Sequence, residues 1–138
     1  MEIFGAIIQL LGGLAMFLYG IEVMGDGLKT SAKLGVVAAL LALVFGVVLG
    51  AGAALNRNSI PDRIIMVLTT AFVSMPSFIM GSLLLVVFAI RLHVLPANGA
   101  AAGGLILPVI TLMLYPMAYI TRLTRSSMLD VLGQDYIR

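Results

Sequence analysis

The chain has 138 residues, 62% of them apolar and only 10% charged, with a mean hydropathy of +1.17 and a formal net charge of +2. Soluble domains carry about 25% charged residues, so the composition argues against a water-soluble fold. With no cysteine and one histidine, disulfides, thiolate chemistry and a zinc site fall away.

Four apolar stretches without a charged side chain follow one another: Ile3 to Ile21, Leu34 to Leu55, Ile64 to Ile90 and Leu105 to Thr121. A helix crossing a bilayer needs about 20 mostly apolar residues. The expected fold class is therefore all-α, a polytopic transmembrane helical bundle of about four spans.

In the first stretch Gly5, Gly12 and Gly20 recur at about two helical turns and share a face that lets another helix approach closely. Glu2 stands where a signal peptide would be basic, and no small-residue cleavage pattern follows, so no signal peptide is expected. The polar run Glu22 to Lys33 follows, with Gly25 and Gly27 as expected breakers. In the second stretch Gly46, Gly50 and Ala54 form a small-residue stripe, read either as ordinary helix packing or as a specific dimer motif.

Asn56 to Arg63 is an expected turn. Ser59 or Asp62 is placed to cap the next helix, and Pro61 suits a first turn. The third stretch contains Ser74-Met75-Pro76-Ser77. Proline removes a backbone donor and bends a helix. The bend has two readings, a packing kink or the lining of a substrate path.

Arg91 to Gly104 is a glycine- and alanine-rich loop with a turn at Pro96-Ala97-Asn98-Gly99. His93 reads as an interfacial residue rather than a relay. The fourth stretch carries Pro108 and Pro116, with Tyr115 and Tyr119 placed to anchor at an interface or to hydrogen-bond inside the bundle. Arg122 to Arg138 is polar and mildly amphipathic.

The basic residues stand at the ends of apolar runs, where they orient helices, so no nucleic-acid partner is expected. With four spans, Arg57, Arg63, Arg122, Arg125 and Arg138 fall on one side and Lys29, Lys33 and Arg91 on the other. That bias predicts both termini in the cytoplasm. No charge stands inside a span, against a self-contained ion pump. There is no phosphate-binding P-loop and no catalytic motif. Nothing calls for a cofactor, and an enzyme is not expected.

From about Leu34 onward the residues resemble a permease subunit of the dipeptide/oligopeptide/nickel class of ABC transporters. The likeness rests on Leu49 to Leu55 leading to Asn58-Ser59 and Asp62-Arg63, on Ser74 to Phe78, on Phe88-Ala89, on Leu95 to Gly99 and on Ile106 to Pro108. It is strongest in the long run from Tyr119 to Arg138. The resemblance implies a bacterial inner-membrane role in substrate passage. The implied partners are a second permease subunit, separate ATPase subunits, a periplasmic substrate-binding protein and the lipid bilayer. Segments three and four would line the path, with Ser74, Pro76, Ser77, Tyr115 and Pro116 as candidate residues, while Gly12, Gly46, Gly50 and Ala54 serve helix packing. In that class, two further helices follow a cytoplasmic Glu-Ala-Ala loop that docks on the ATPase. The chain stops before that loop, so an incomplete subunit is expected.

Residues 1–33 resemble something else. Leu11 to Gly20 with Met24 to Lys29 looks like the first helix of sodium/phosphate cotransporters, without that family's Gln-Ser-Ser-Ser motif. The expected organisation is a cotransporter-like helix over 1–33 and a partial permease domain over 34–138. Two alternatives stand beside it: a small membrane interaction or assembly protein, and a cotransporter relative.

Overall fold

The computed structural model describes residues 1–133, all of whose regular structure is helical. The Gln134–Arg138 end of the permease-like run lies outside the described residues. The elements are α1 (Glu2–Leu55), α2 (Ile60–Ser74), α3 (Ser77–Leu84) with a π-helical extension (Leu85–Arg91), and α4 (Ile106–Leu132). The chain divides into two compact units, Met1–Lys33 and Leu34–Arg138.

The first unit is helical from Glu2 onward, and Phe4, Met16, Phe17 and Tyr19 all stand exposed on it. The break expected at Gly25 and Gly27 is corrected: α1 carries no turn between Ile21 and Leu34. A glycine inside a helix costs about 1 kcal/mol, which does not by itself end one. Glu22 to Lys33 contains no proline, and Met24, Leu28, Lys29, Ala32 and Lys33 favour helix. Lys29 and Asp26 pair at 3.6 Å on the open surface. The first two apolar stretches thus share one helix. By length and composition α1 and α4 are each able to cross a membrane, and α2 with α3 forms a third candidate bent by 110°.

In the second unit, α1 buries Ala38, Ala42, Gly46, Gly50 and Ala54, one residue per turn along one stripe. The atoms nearest Gly46 belong to Met117 and Ile120, and those nearest Gly50 belong to Thr121 and Thr124. Both numbers rise together, so this part of α1 and α4 run parallel. Lipid supplies no hydrophobic drive between helices, and close backbone approach over small residues provides the van der Waals contact instead. Gly52 points elsewhere and has open space around it.

The α2–α3 pair runs antiparallel to α4: Asp62 meets Arg125, and Gly81 lies against Thr111. Between α1 and α2 the turn uses Asn58 at φ 63°, a left-handed conformation that asparagine tolerates. Ser59 is the N-cap residue of α2, yet its hydroxyl donates to the Asn56 carbonyl rather than capping the helix. Pro61 occupies the first turn as expected. The loop after the π-helical turn folds over Asn98, whose Oδ1 accepts from the Ala100 N–H at 3.0 Å. A side chain at Gly104 would run into the Asn98 carbonyl, so that position requires glycine.

Candidate groove at the broken span

The break between α2 and α3 follows from one dipeptide. Met75 precedes Pro76 and is held extended, at φ −88° and ψ 132°, which ends α2. Pro76 has no N–H to continue the ladder, and its carbonyl instead accepts from Ile79 and Met80 to start α3. On the facing helix Pro116 lies inside α4 without ending it, but removes the donor that the Leu112 carbonyl would otherwise use.

The two proline sites face each other. Ser74, Pro76 and Ser77 line one side of a groove of about 500 Å³, and Thr111, Tyr115 and Pro116 line the other. All five residues named from sequence as path candidates therefore meet around one space. Tyr115 is 54% exposed there. A second groove of about 390 Å³ shares Thr111 and Leu112 and continues past Gly81 toward Pro96. Gly81 keeps the helices close, since an added Cβ would lie 3.2 Å from Thr111 Cγ2.

Among the described residues no charged side chain lines either groove. The buried charge lies elsewhere, at the start of α2. Arg125 Nε donates to Asp62 Oδ1 at 2.6 Å and Arg125 Nη2 to Asp62 Oδ2 at 2.7 Å. Asp62 Oδ2 also accepts from the Asn58 N–H at 3.0 Å. This two-pronged ion pair ties the α1–α2 turn to the far end of α4. Sequence reasoning offered Asp62 as a helix cap and as part of the permease likeness, used Arg125 as an orienting charge and within the same likeness, and did not single out Thr111. The signal available was position: opposite charges just outside two apolar stretches that fold antiparallel stand at the same depth. Gly46 and Gly50 lie against α4 and Ala54 is buried, whereas Gly12 has open space around it.

Residues 46–138 match the family described as binding-protein-dependent transport system inner membrane component. The chain belongs to this family. It is 42% identical over 118 residues to the dipeptide transport system permease protein DppB of Bacillus subtilis (strain 168), covering 85% of this chain and 38% of that protein. It is 42% identical over 120 residues to the oligopeptide transport system permease protein OppB of Escherichia coli (strain K12), covering 85% of this chain and 39% of the relative. The dipeptide transport system permease protein DppB of Lactococcus lactis subsp. cremoris (strain MG1363) is 35% identical over 118 residues, covering 85% of this chain and 39% of that protein. The chain thus spans about two fifths of the length of the curated relatives it matches. The aligned 118 residues are more than the second unit holds, so the likeness to this permease family reaches into the first. Family membership and the apolar helices together make it a multi-pass inner-membrane protein.

Proposed function

We propose that this chain is part of the membrane-spanning permease of an ABC importer for dipeptides or oligopeptides. Its partners are a second permease subunit, separate ATPase subunits and a periplasmic substrate-binding protein. The observation that supports this reading is the groove at the broken span, in a family member whose relatives are peptide transport permeases. Irregular backbone at membrane depth is tolerated only where it is buried in protein or lines a water-filled cavity. Here the irregular Met75–Pro76 link carries two serines and faces Tyr115 and Pro116. Ser74, Pro76, Ser77, Tyr115 and Pro116 form this chain's share of the substrate path. ATP-driven transport then requires a partner whose contacts differ between two states of the path.

The orientation follows from charge in the second unit. Arg57, Arg63, Arg122 and Arg125 stand by the α1–α2 turn and the end of α4, against Arg91 at the other end. The turn and the end of α4 therefore face the cytoplasm. A reporter fused after Asn58 is expected to read cytoplasm and one after Gly99 periplasm; the reverse pattern would overturn this orientation.

The functional test is dipeptide uptake in a strain lacking its own permease subunit, supplied with the permease that carries this chain. Ser74→Leu combined with Ser77→Leu fills the groove, and uptake is expected to fall at least about tenfold at an unchanged membrane level, where each tenfold is roughly 1.4 kcal/mol of barrier. Unchanged uptake in the double variant would remove the groove from the path. Absence of dipeptide uptake by the unaltered permease would remove the substrate assignment.

A further inference from the structure

Resting on the peptide-import reading, we infer that the groove is a charge-neutral passage in which the hydroxyls of Ser74, Ser77 and Tyr115 hold a peptide by its backbone amides. The argument begins with what the other hydroxyls in the same two apolar stretches do. Thr69 and Thr70 donate to the Met66 carbonyl at 3.0 and 2.8 Å. Ser82 donates to Phe78 at 2.8 Å, Thr111 to Leu107 at 2.9 Å, and Thr121 to Met117 at 2.8 Å. Each of these hydroxyls has its proton engaged by its own helix, which is how polar side chains are accommodated at membrane depth.

Ser74, Ser77 and Tyr115 break that pattern. Among the described residues none of their hydroxyls has a hydrogen-bond partner, and all three line the same groove. Tyr119 shares their lack of a partner but stands outside the lining. Ser74, Ser77 and Tyr115 are exposed on the groove lining, so their hydroxyls are open to water or a solute there. A hydroxyl donates one hydrogen bond and accepts two, while each peptide unit offers one N–H and one C=O. The match is to the repeating backbone, which every peptide shares. No lysine, arginine, aspartate or glutamate stands in the lining to favour one side-chain charge over another.

The experiment uses the assembled importer in cells and saturating Ala-Ala, Ala-Lys and Ala-Glu. The unaltered permease is expected to carry all three at similar maximal rates. Ser74→Ala, Ser77→Ala and Tyr115→Phe together are expected to slow all three by about a hundredfold, because three hydrogen bonds are lost at once. Ser82→Ala, whose hydroxyl is engaged by its own helix, leaves the rates unchanged. Ser77→Asp places a charge in the lining and is expected to slow Ala-Glu about tenfold relative to Ala-Lys. That split is a readout that a purely structural serine would not produce. Unchanged rates in the triple variant, or equal slowing of Ala-Glu and Ala-Lys by Ser77→Asp, would overturn the inference while leaving the peptide-import reading intact. Failure of the unaltered permease to carry Ala-Ala would instead remove that reading.

Discussion

Arg125→Ala is expected to lower thermal stability in detergent more than Asp62→Ala, although both break the same ion pair. The asymmetry comes from burial. The Asp62 side chain is 4% exposed and that of Arg125 22%. Removing Arg125 strands a buried carboxylate whose remaining partner is the Asn58 N–H. Breaking a buried pair in this way costs about 3–5 kcal/mol. Removing Asp62 leaves a guanidinium that already reaches the surface, and the cost drops to about 1.5–3 kcal/mol, that of hydrogen bonds to a charged group. Arg125→Lys retains the charge but not the fork that bonds both carboxylate oxygens, and falls between them. Thermal unfolding of the purified protein followed by circular dichroism checks the order. A larger loss for Asp62→Ala than for Arg125→Ala would show that the carboxylate is not the buried partner.

Gly50→Leu is the second large effect. A Cβ at Gly50 would lie 2.6 Å from both the Thr121 carbonyl oxygen and Thr124 Cβ. One of these is backbone, so relief requires α1 and α4 to separate. Overpacking of this kind costs about 1–3 kcal/mol, and in lipid the lost close approach is itself the driving force for the contact. Gly46→Leu meets first the Ile120 side chain, at 2.8 Å, with the Met117 carbonyl at 3.0 Å, and is expected to cost less. Gly52→Leu, with nothing within 4 Å, is the control and leaves the melting temperature unchanged. Equal losses at Gly50 and Gly52 would mean that the effect is glycine chemistry rather than helix contact.

These expectations depend on neighbours that local sequence does not display. The stripe Gly46, Gly50, Ala54 was legible as a packing face because small residues one turn apart must share a side. Its partner was not, since α4 lies more than fifty residues downstream and many faces of an apolar chain are chemically alike. The break at Pro76 was equally legible, because a missing N–H is a local property. Its opposition to Tyr115 and Pro116 depends on the register in which the α2–α3 pair lies along α4. The Gly25–Gly27 break was misread for a related reason: glycine permits a turn but does not impose one, and the surrounding helix formers carried α1 through.

By itself the sequence determined the solvent, the all-helical class, the position of the broken span and the permease family, because hydropathy, proline chemistry and motif residues are written locally. Only the tertiary structure decided that Asp62 and Arg125 form a two-pronged pair, that α1 and α4 run parallel over Gly46 and Gly50, and that the two proline sites close one groove. Each of those is a pairing between residues far apart in the chain. In a bilayer, where apolar faces are nearly equivalent, such pairings are chosen by close fit and by the few polar groups that must find partners.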